Sequence, residues 1–145
     1  STAQEIDELT VVLETDSQKI IKTLYDPNFD YQHKLILEQL PQITPKLATT
    51  GKVNVVSYQP NRVEVETQAD QPQLLYLSDN FFPGWKATVD GKDVPILRAN
   101  YTFRAVSLSE GKHVVIFLYD PISFKIGLAI SLLSIIFLCK KIFQK

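Results

Sequence analysis

The chain has 145 residues, 15 of them basic and 16 acidic, so its formal net charge is −1. This length suits one domain with a hydrophobic core, and the balanced charge gives no sign of the basic face or stripe that a nucleic-acid partner requires, so we expect none. The single cysteine, Cys139, excludes an internal disulfide and a cysteine-based zinc site. We expect no metal or cofactor, since the two histidines, His33 and His113, lack a second ligand at a suitable spacing. Because methionine is absent, we expect a processed product or a piece of a longer protein.

The first part of the chain, residues 1–50, predicts a small α/β segment and a linker. Residues 9–13 (LTVVL) are typical of a strand, and Asp16 or Ser17 can cap a helix that ends near Tyr25. Residues 33–38 predict a second strand, and the two prolines within 39–51 indicate a linker or edge segment.

The second part, residues 51–120, has the pattern of an antiparallel β-sandwich or jelly roll. Residues 61–68 (NRVEVETQ) alternate, which places Val63 and Val65 inward. Residues 73–79 form a continuous apolar run that predicts a central strand covered on both faces. Residues 103–120 predict two strands joined through Glu110 and Gly111. Turn signals recur at intervals of about eight to twelve residues, which is typical of such folds.

The stretch NFFPGWKATVDG, residues 80–91, predicts a corner and a hairpin. Alternation places Trp85 with Ala87 and Val89 on the core face, and Asp-Gly between alternating runs is a strong hairpin signal. The residues expected to build these turns are Pro83, Gly84, Trp85, Asp90, Gly91 and Gly111.

Two aromatic residues of the same stretch are candidate ligand contacts. Flat rings stack on the apolar faces of sugars, and Phe81 and Phe82 point in opposite directions if the chain is extended there. At least one of them is therefore expected to face a ligand, the membrane or a partner, whereas Trp85 is better explained by core packing.

Three polar residues of RANYTFR, residues 98–104, are the other candidates. Arg98, Asn100 and Arg104 share a face if the segment is one uninterrupted strand, and two guanidiniums can clamp a phosphate or carboxylate, such as a lipid head group. Alternatively, the arginines pair across the sheet with acidic residues; those weighed are Asp79, Asp90 and Asp93. The sequence contains neither a phosphate-binding glycine loop nor a nucleophile elbow, and we assign no catalytic residue.

The last part, residues 121–145, predicts a transmembrane helix with a basic end. Residues 122–139 (ISFKIGLAISLLSIIFLC) carry one charge, Lys125, and approach the length of about twenty residues that a bilayer requires. Lysines at 140, 141 and 145 place the C-terminus in the cytoplasm and residues 1–120 outside it. A buried helix of a soluble domain is the alternative. The small residues Gly127, Ser131 and Ser134 share a face that suits another span, or a lone anchor that happens to contain serine.

Several motifs together resemble the C-terminal end of the bacterial YfhO-type membrane protein family. They are the aromatic pair followed by PGWKATVDG, the segment PILRANYTFRAV, the turn GKHVV and the run YDPISFKIG that leads into the last span. The resemblance covers most of the chain.

The resemblance implies a multi-pass protein of the bacterial cytoplasmic membrane, similar to glycosyltransferases that take sugar from a polyprenyl-phosphate carrier at the outer face. The catalytic acid of such enzymes lies in an early outer loop, so this region is expected to be a non-catalytic accessory domain, and the activity of the parent stays uncertain. The expected partners are the bilayer, the other spans and outer loops of the parent, and an envelope glycan or lipid-linked sugar. Two alternatives remain, a carbohydrate- or polymer-binding module and a structural cap on the membrane domain.

Overall fold

A computed structural model describes residues 10–31, 33–43, 45 and 51–143, without the side chains of residues 138 and 141–143. Parts of the predicted first strand and of the predicted linker lie outside the described residues. The elements in chain order are β1 (Thr10–Leu13), α1 (Ser17–Leu24), β2 (Lys34–Leu37), β3 (Gly51–Gln59), β4 (Arg62–Ala69), β5 (Gln73–Leu77), β6 (Trp85–Val89), β7 (Lys92–Val94), β8 (Leu97–Ala99), β9 (Phe103–Leu108), β10 (Gly111–Tyr119) and α2 (Ile122–Phe143).

The predicted strand–helix–strand order near the N-terminus is present. The carboxylate of Asp16 accepts hydrogen bonds from the backbone N–H groups of Gln18 and Lys19, which satisfies free donors at the start of α1. The strands on either side, β1 and β2, pair in parallel, as a helical crossover between them allows. Ile20, at the centre of α1, is fully buried.

The strands form two five-stranded sheets, so the mainly β prediction is confirmed. The first sheet has the order β1-β2-β8-β9-β5 and the second has the order β3-β4-β10-β6-β7. The predicted central position of residues 73–79 is wrong, because β5 lies at the edge of the first sheet. Its apolar run has another cause: Leu75 belongs to one core cluster, while Leu74 and Tyr76 pack against a second.

The two predicted strands of residues 103–120 are present but do not pair with each other. β9 lies in the first sheet and β10 in the second, and Ser109 and Glu110 carry the chain between the sheets. Gly111 follows with φ of +122°, a conformation that favours glycine. The local sequence pattern thus located both strands but not their pairing, because several partner strands lie far away in sequence.

The main core cluster takes residues from both sheets. Its buried members are Val63, Val65, Leu75, Ala87, Val106, Leu108, Val115 and Phe117, and Trp85 and Val89 pack against it half-buried. The second cluster comes from the first sheet alone and contains Leu35, Leu37, Leu97, Ala99 and Ala105. The first sheet is therefore apolar on both faces.

β6 and β7 form the hairpin that Asp90-Gly91 predicts. Both turn residues have positive φ, 52° and 76°, which is the geometry of a two-residue turn that matches strand twist. The register Val89↔Lys92 closes the turn.

The C-terminal helix α2 extends over 22 residues, from Ile122 to Phe143. Its described side chains from Ile122 to Phe137 are all exposed. Within the residues that the structure describes, no helix meets the length and hydropathy required of a membrane-crossing segment.

Candidate functional site

Arg104 is buried within the part of the structure formed by the two sheets and α1, the described residues of 10–119, which we call the β unit. Its side chain is 1% exposed, and its Nη2 donates to Asp79 at 3.2 Å. Its guanidinium carbon lies 3.8 Å from the centroid of the Trp85 ring and 5.1 Å from that of Phe117. Burial lowers the pKa of Arg104, and the Asp79 charge opposes that shift. Among the described residues, Nε and Nη1 have no hydrogen-bond partner, so the aromatic faces are their main compensation.

Asp79 is shared between Arg104 and a tyrosine of the second sheet. The Tyr58 hydroxyl donates to Asp79 Oδ2 at 2.7 Å, and this hydrogen bond is the main reason that the pKa of Tyr58 is raised. The carboxylate therefore links β3, β9 and the segment after β5. This is the cross-sheet pairing that the sequence offered as the alternative to a ligand clamp.

Arg98 faces a different partner. It lies 3.3 Å from a Glu38 carboxylate oxygen, donates to the backbone carbonyl of Tyr101, and has its guanidinium carbon 5.0 Å from the Tyr101 ring centroid. The assumption of one uninterrupted strand is wrong, because β8 and β9 form a hairpin in which Arg98 and Arg104 are opposite each other. Each guanidinium is thus directed to its own internal carboxylate.

Asn100 holds the tight turn between β8 and β9. Its φ is 45° and that of Tyr101 is 68°, a left-handed conformation that Asn tolerates better than most residues. The Asn100 side-chain oxygen accepts from the backbone N–H of Ile36 at 2.9 Å, and the backbone N–H of Asn100 donates to the Ile36 carbonyl at 2.8 Å. Asn100 is 9% exposed and serves to tie β2 to this turn.

The two phenylalanines separate as their opposite directions suggested. Phe81 is half-buried, and its N–H donates to the carbonyl of Thr102 at 2.6 Å. Phe82 is 55% exposed. Of the five candidate ligand contacts, Phe82 alone presents most of its side chain to the surroundings.

Phe82 begins a turn that lies directly against the start of α2. The turn, residues 82–85, is closed by Trp85 N–H donating to the Phe82 carbonyl at 3.3 Å. Gly84 has φ of +110°, and a Cβ there would lie 3.0 Å from Cβ of Pro121. The N–H of Asp120 donates to the Gly84 carbonyl at 2.8 Å. Only glycine fits this close approach without displacing Pro121.

Asp120 joins the β unit to α2, and we call this contact the joint. Its carboxylate lies 2.8 Å from Lys86 Nζ in β6 and 2.7 Å from Lys125 Nζ in α2. The hydrogen bonds from Lys125 and then Lys86 lower the pKa of Asp120 to about 2, so the carboxylate is ionised at neutral pH. Only Asp120 and Pro121 lie between β10 and α2. The side chain and the backbone of Asp120 both restrict the direction in which the helix leaves.

A shallow groove of about 900 Å³ crosses the second sheet at the opposite end of β10. It is lined by Gly51, Lys52, Val53, Asn54, Glu66, Thr67, Gln68, Asp90, Lys112, His113 and Val114. At its rim, His113 Nδ1 lies 2.8 Å from Asp90, and Nε2 lies 3.1 Å from both the hydroxyl and the carbonyl oxygen of Ser109. His113 thus connects the Asp90-Gly91 turn with Ser109, at the turn between β9 and β10.

The sequence missed the residues that hold the joint. Lys86 and Lys125 are separated from Asp120 by 34 and 5 positions, and no periodic pattern connects them. The available signal was the aspartate-proline pair that separates the last strand from the helix. Among residues 10–31, 33–43, 45 and 51–143, no group of three potential metal ligands is found.

The fold defines a two-sheet β protein joined within two residues to an apolar helix. The chain belongs to a family described as "Bacterial membrane protein YfhO". The family model matches residues 14–131. The resemblance expected from the sequence is therefore confirmed, and membership supports a location at a bacterial membrane.

The chain is similar to "Uncharacterized protein YfhO" from Bacillus subtilis (strain 168). The identity is 24% over 113 residues, which is 78% of this chain and 12% of that protein. The chain thus spans a small part of the length of this relative. No solved structure matches the chain.

Proposed function

We propose that residues 1–120 form a non-catalytic accessory domain outside the cytoplasm, fixed by the joint to a membrane-spanning α2. In this proposal, residues 1–50 are an α/β segment and linker, 51–120 a β-sandwich, and 121–145 the span with its cytoplasmic basic end. The single observation that carries it is the joint, in which one carboxylate contacts lysines of both β6 and α2.

The sequence of α2 supports its placement in the bilayer. A helix of 22 residues is about 33 Å long, close to the thickness of the hydrocarbon core. Lys125 lies at one end and Lys140 near the other, and lysine side chains near the ends of a span reach the polar interfaces. The lysines after the span favour a cytoplasmic C-terminus.

The joint explains why an accessory domain needs no flexible linker. A domain that binds a substrate or an outer loop near the membrane loses less entropy on binding if its orientation is already fixed. Two intervening residues, Asp120 and Pro121, and an ion-paired carboxylate provide that restriction. We further propose, from the family resemblance, that the parent transfers sugar from a lipid carrier to an envelope polymer.

The topology is tested by single cysteines in a Cys139→Ser background, expressed in intact cells. A membrane-impermeant maleimide should label Tyr25→Cys at the surface of the β unit and should not label Lys145→Cys. Labelling of Lys145→Cys without labelling of Tyr25→Cys would reverse the proposed topology.

The accessory role is tested in the parent protein by deleting residues 1–119 of this chain while keeping the span. Envelope glycosylation should fall while the amount of parent in the membrane stays constant. Unchanged glycosylation at equal protein level would overturn the accessory role.

The groove favours a second candidate function, a carbohydrate-binding module. Asn54, Glu66 and Gln68 offer planar polar groups of the kind that bind sugar hydroxyls. Titration of the chain with envelope glycans should shift the backbone amide resonances of β3 and β4. Absence of shifts at these strands would reject this candidate and leave the structural cap as the alternative.

A further inference from the structure

The exposed side chain of Phe82 is not explained by packing within the β unit. It is 55% exposed, although it lies in the turn whose Gly84 contacts Pro121. Only Pro83 lies between Phe82 and Gly84, so the Cα atoms of Phe82 and Gly84 are at most about 7 Å apart. The aromatic ring therefore projects from the part of the β unit nearest to the start of α2.

Other residues at this position have the composition of a membrane interface. Tyr119 is 38% exposed, and its ring centroid lies 5.3 Å from that of Trp85. Ile122 and Phe124 in the first turn of α2 are 66% and 69% exposed. Aromatic residues that combine an apolar body with proximity to water are enriched where a span leaves the bilayer.

The charges around the joint suit phosphate head groups. Lys86 and Lys125 share one carboxylate, Asp120, which leaves donor hydrogens on both ammonium groups. Asp93 adds a weaker electrostatic contribution at Lys86 and thus reduces the positive potential there. Lysines at such a position bind head-group phosphates while their stems lie along apolar surface.

We propose that Phe82, Lys86, Tyr119 and Lys125 form a rim that inserts into the head-group layer of the outer leaflet. This inference rests on the proposed membrane position of α2 and adds a second lipid contact, made by the β unit itself. The head-group region is about 5–8 Å thick on each side. This thickness is comparable to the limit of about 7 Å between the Cα atoms of Phe82 and Gly84, and Gly84 contacts Pro121. The β unit is thereby held against the membrane at two places and cannot tilt freely.

The test uses the full 145-residue chain with Cys139→Ser, in nanodiscs of phosphatidylcholine and phosphatidylglycerol. An environment-sensitive fluorophore is attached at Phe82→Cys, at Tyr25→Cys as an exposed aromatic control, or at Ile130→Cys within α2. One set of nanodiscs carries nitroxide on the lipid head group and another carries it deep on the acyl chain. The Trp85 emission of each unlabelled variant checks that the fold is retained.

The rim predicts that head-group nitroxide removes most of the emission at position 82 but leaves that at position 25 unchanged. Acyl-chain nitroxide should quench position 130. If position 130 is quenched while position 82 behaves like position 25, the rim is wrong and the membrane position of α2 stands. If position 130 is not quenched by either lipid, the proposed span is wrong, and the proposed rim, which depends on it, is wrong as well.

Discussion

The guanidinium of Arg104 lies over the indole of Trp85, with 3.8 Å between its central carbon and the ring centroid. Trp85 is also the last residue of the turn that contacts the start of α2. The same aromatic ring therefore covers a buried charge on one side of the core and lies beside the joint. This relationship makes the interior of the β unit and the direction of the helix depend on shared contacts.

Replacement of Arg104 should destabilise the β unit strongly. Arg104→Ala leaves Asp79 without its cation and exposes the Trp85 and Phe117 faces, so we expect a loss of about 3 kcal/mol in the free energy of unfolding. Arg104→Lys keeps the charge but loses the planar stacking, and it should also be clearly destabilised. Denaturant unfolding followed by Trp85 emission measures both.

Arg62→Ala is the matched control for Arg104. Arg62 pairs with Glu64 at 2.9 Å, but its side chain is 40% exposed, and such a surface pair contributes at most about 1 kcal/mol. If Arg104→Ala cost no more than this control, the buried stacking would have little energetic weight.

Two substitutions of Asn100 should distinguish the energetic effect of its side-chain hydrogen bond from that of the left-handed backbone conformation in the turn. Both Asn100→Gly and Asn100→Ala remove the acceptor for Ile36 N–H, but only glycine accommodates φ of 45° easily. We expect the alanine variant to be about 1 kcal/mol less stable than the glycine variant. Equal unfolding free energies would show that the left-handed turn imposes no cost on alanine.

Gly84 should be the most sensitive of three glycines to alanine substitution. Gly84→Ala adds a methyl group 3.0 Å from Pro121 in a left-handed residue, whereas Gly91→Ala has φ of +76° and open space. Gly127→Ala has open space within a helix. Overpacking adds about 1–3 kcal/mol to the backbone strain. The loss in free energy of unfolding should therefore be largest for Gly84→Ala, smaller for Gly91→Ala and absent for Gly127→Ala. A loss at Gly91 equal to that at Gly84 would contradict the close contact with Pro121.

Asp90 should contribute an acid-sensitive term to stability. The hydrogen bond with His113, followed by that from Val114 N–H, holds the pKa of Asp90 below its usual range. The pKa of an aspartate in the unfolded chain is about 3.9, so this contribution is complete above that pH and is lost as the pH falls through the lower folded pKa. Unfolding free energies measured across the acid range should lose part of their pH dependence in Asp90→Asn.

Asp93→Asn, in the neighbouring strand of the same hairpin, is the control for Asp90. Asparagine accepts a left-handed turn about as well as aspartate, so Asp90→Asn tests the charge and not the turn. If the unfolding free energy of Asp90→Asn depended on pH as that of the unchanged chain does, the hydrogen bond with His113 would not stabilise the ionised carboxylate.

Local patterns predicted the elements better than their arrangement. The alternation of Val63 and Val65 and the Asp90-Gly91 turn determine side-chain direction and chain reversal within a few residues, and both are present. The partners of β9 and β10 and the edge position of β5 depend on contacts across the whole chain, which no local period encodes. Arg104 shows the same limit in part. The sequence offered Asp79, 25 positions away, as one of three acidic partners, but the choice among them and the burial of Arg104 depend on packing between sheets.

The most direct test of the account measures the orientation of the β unit relative to α2. Spin labels at Lys112→Cys and Ile130→Cys, in the Cys139→Ser chain in nanodiscs, report the distance between them by pulsed electron spin resonance. The joint predicts one narrow distance distribution at neutral pH, which broadens when Asp120→Asn removes the ion pairs with Lys86 and Lys125. A broad distribution in the chain with intact Asp120 would contradict the claim that this protein holds its β unit rigidly on the helix.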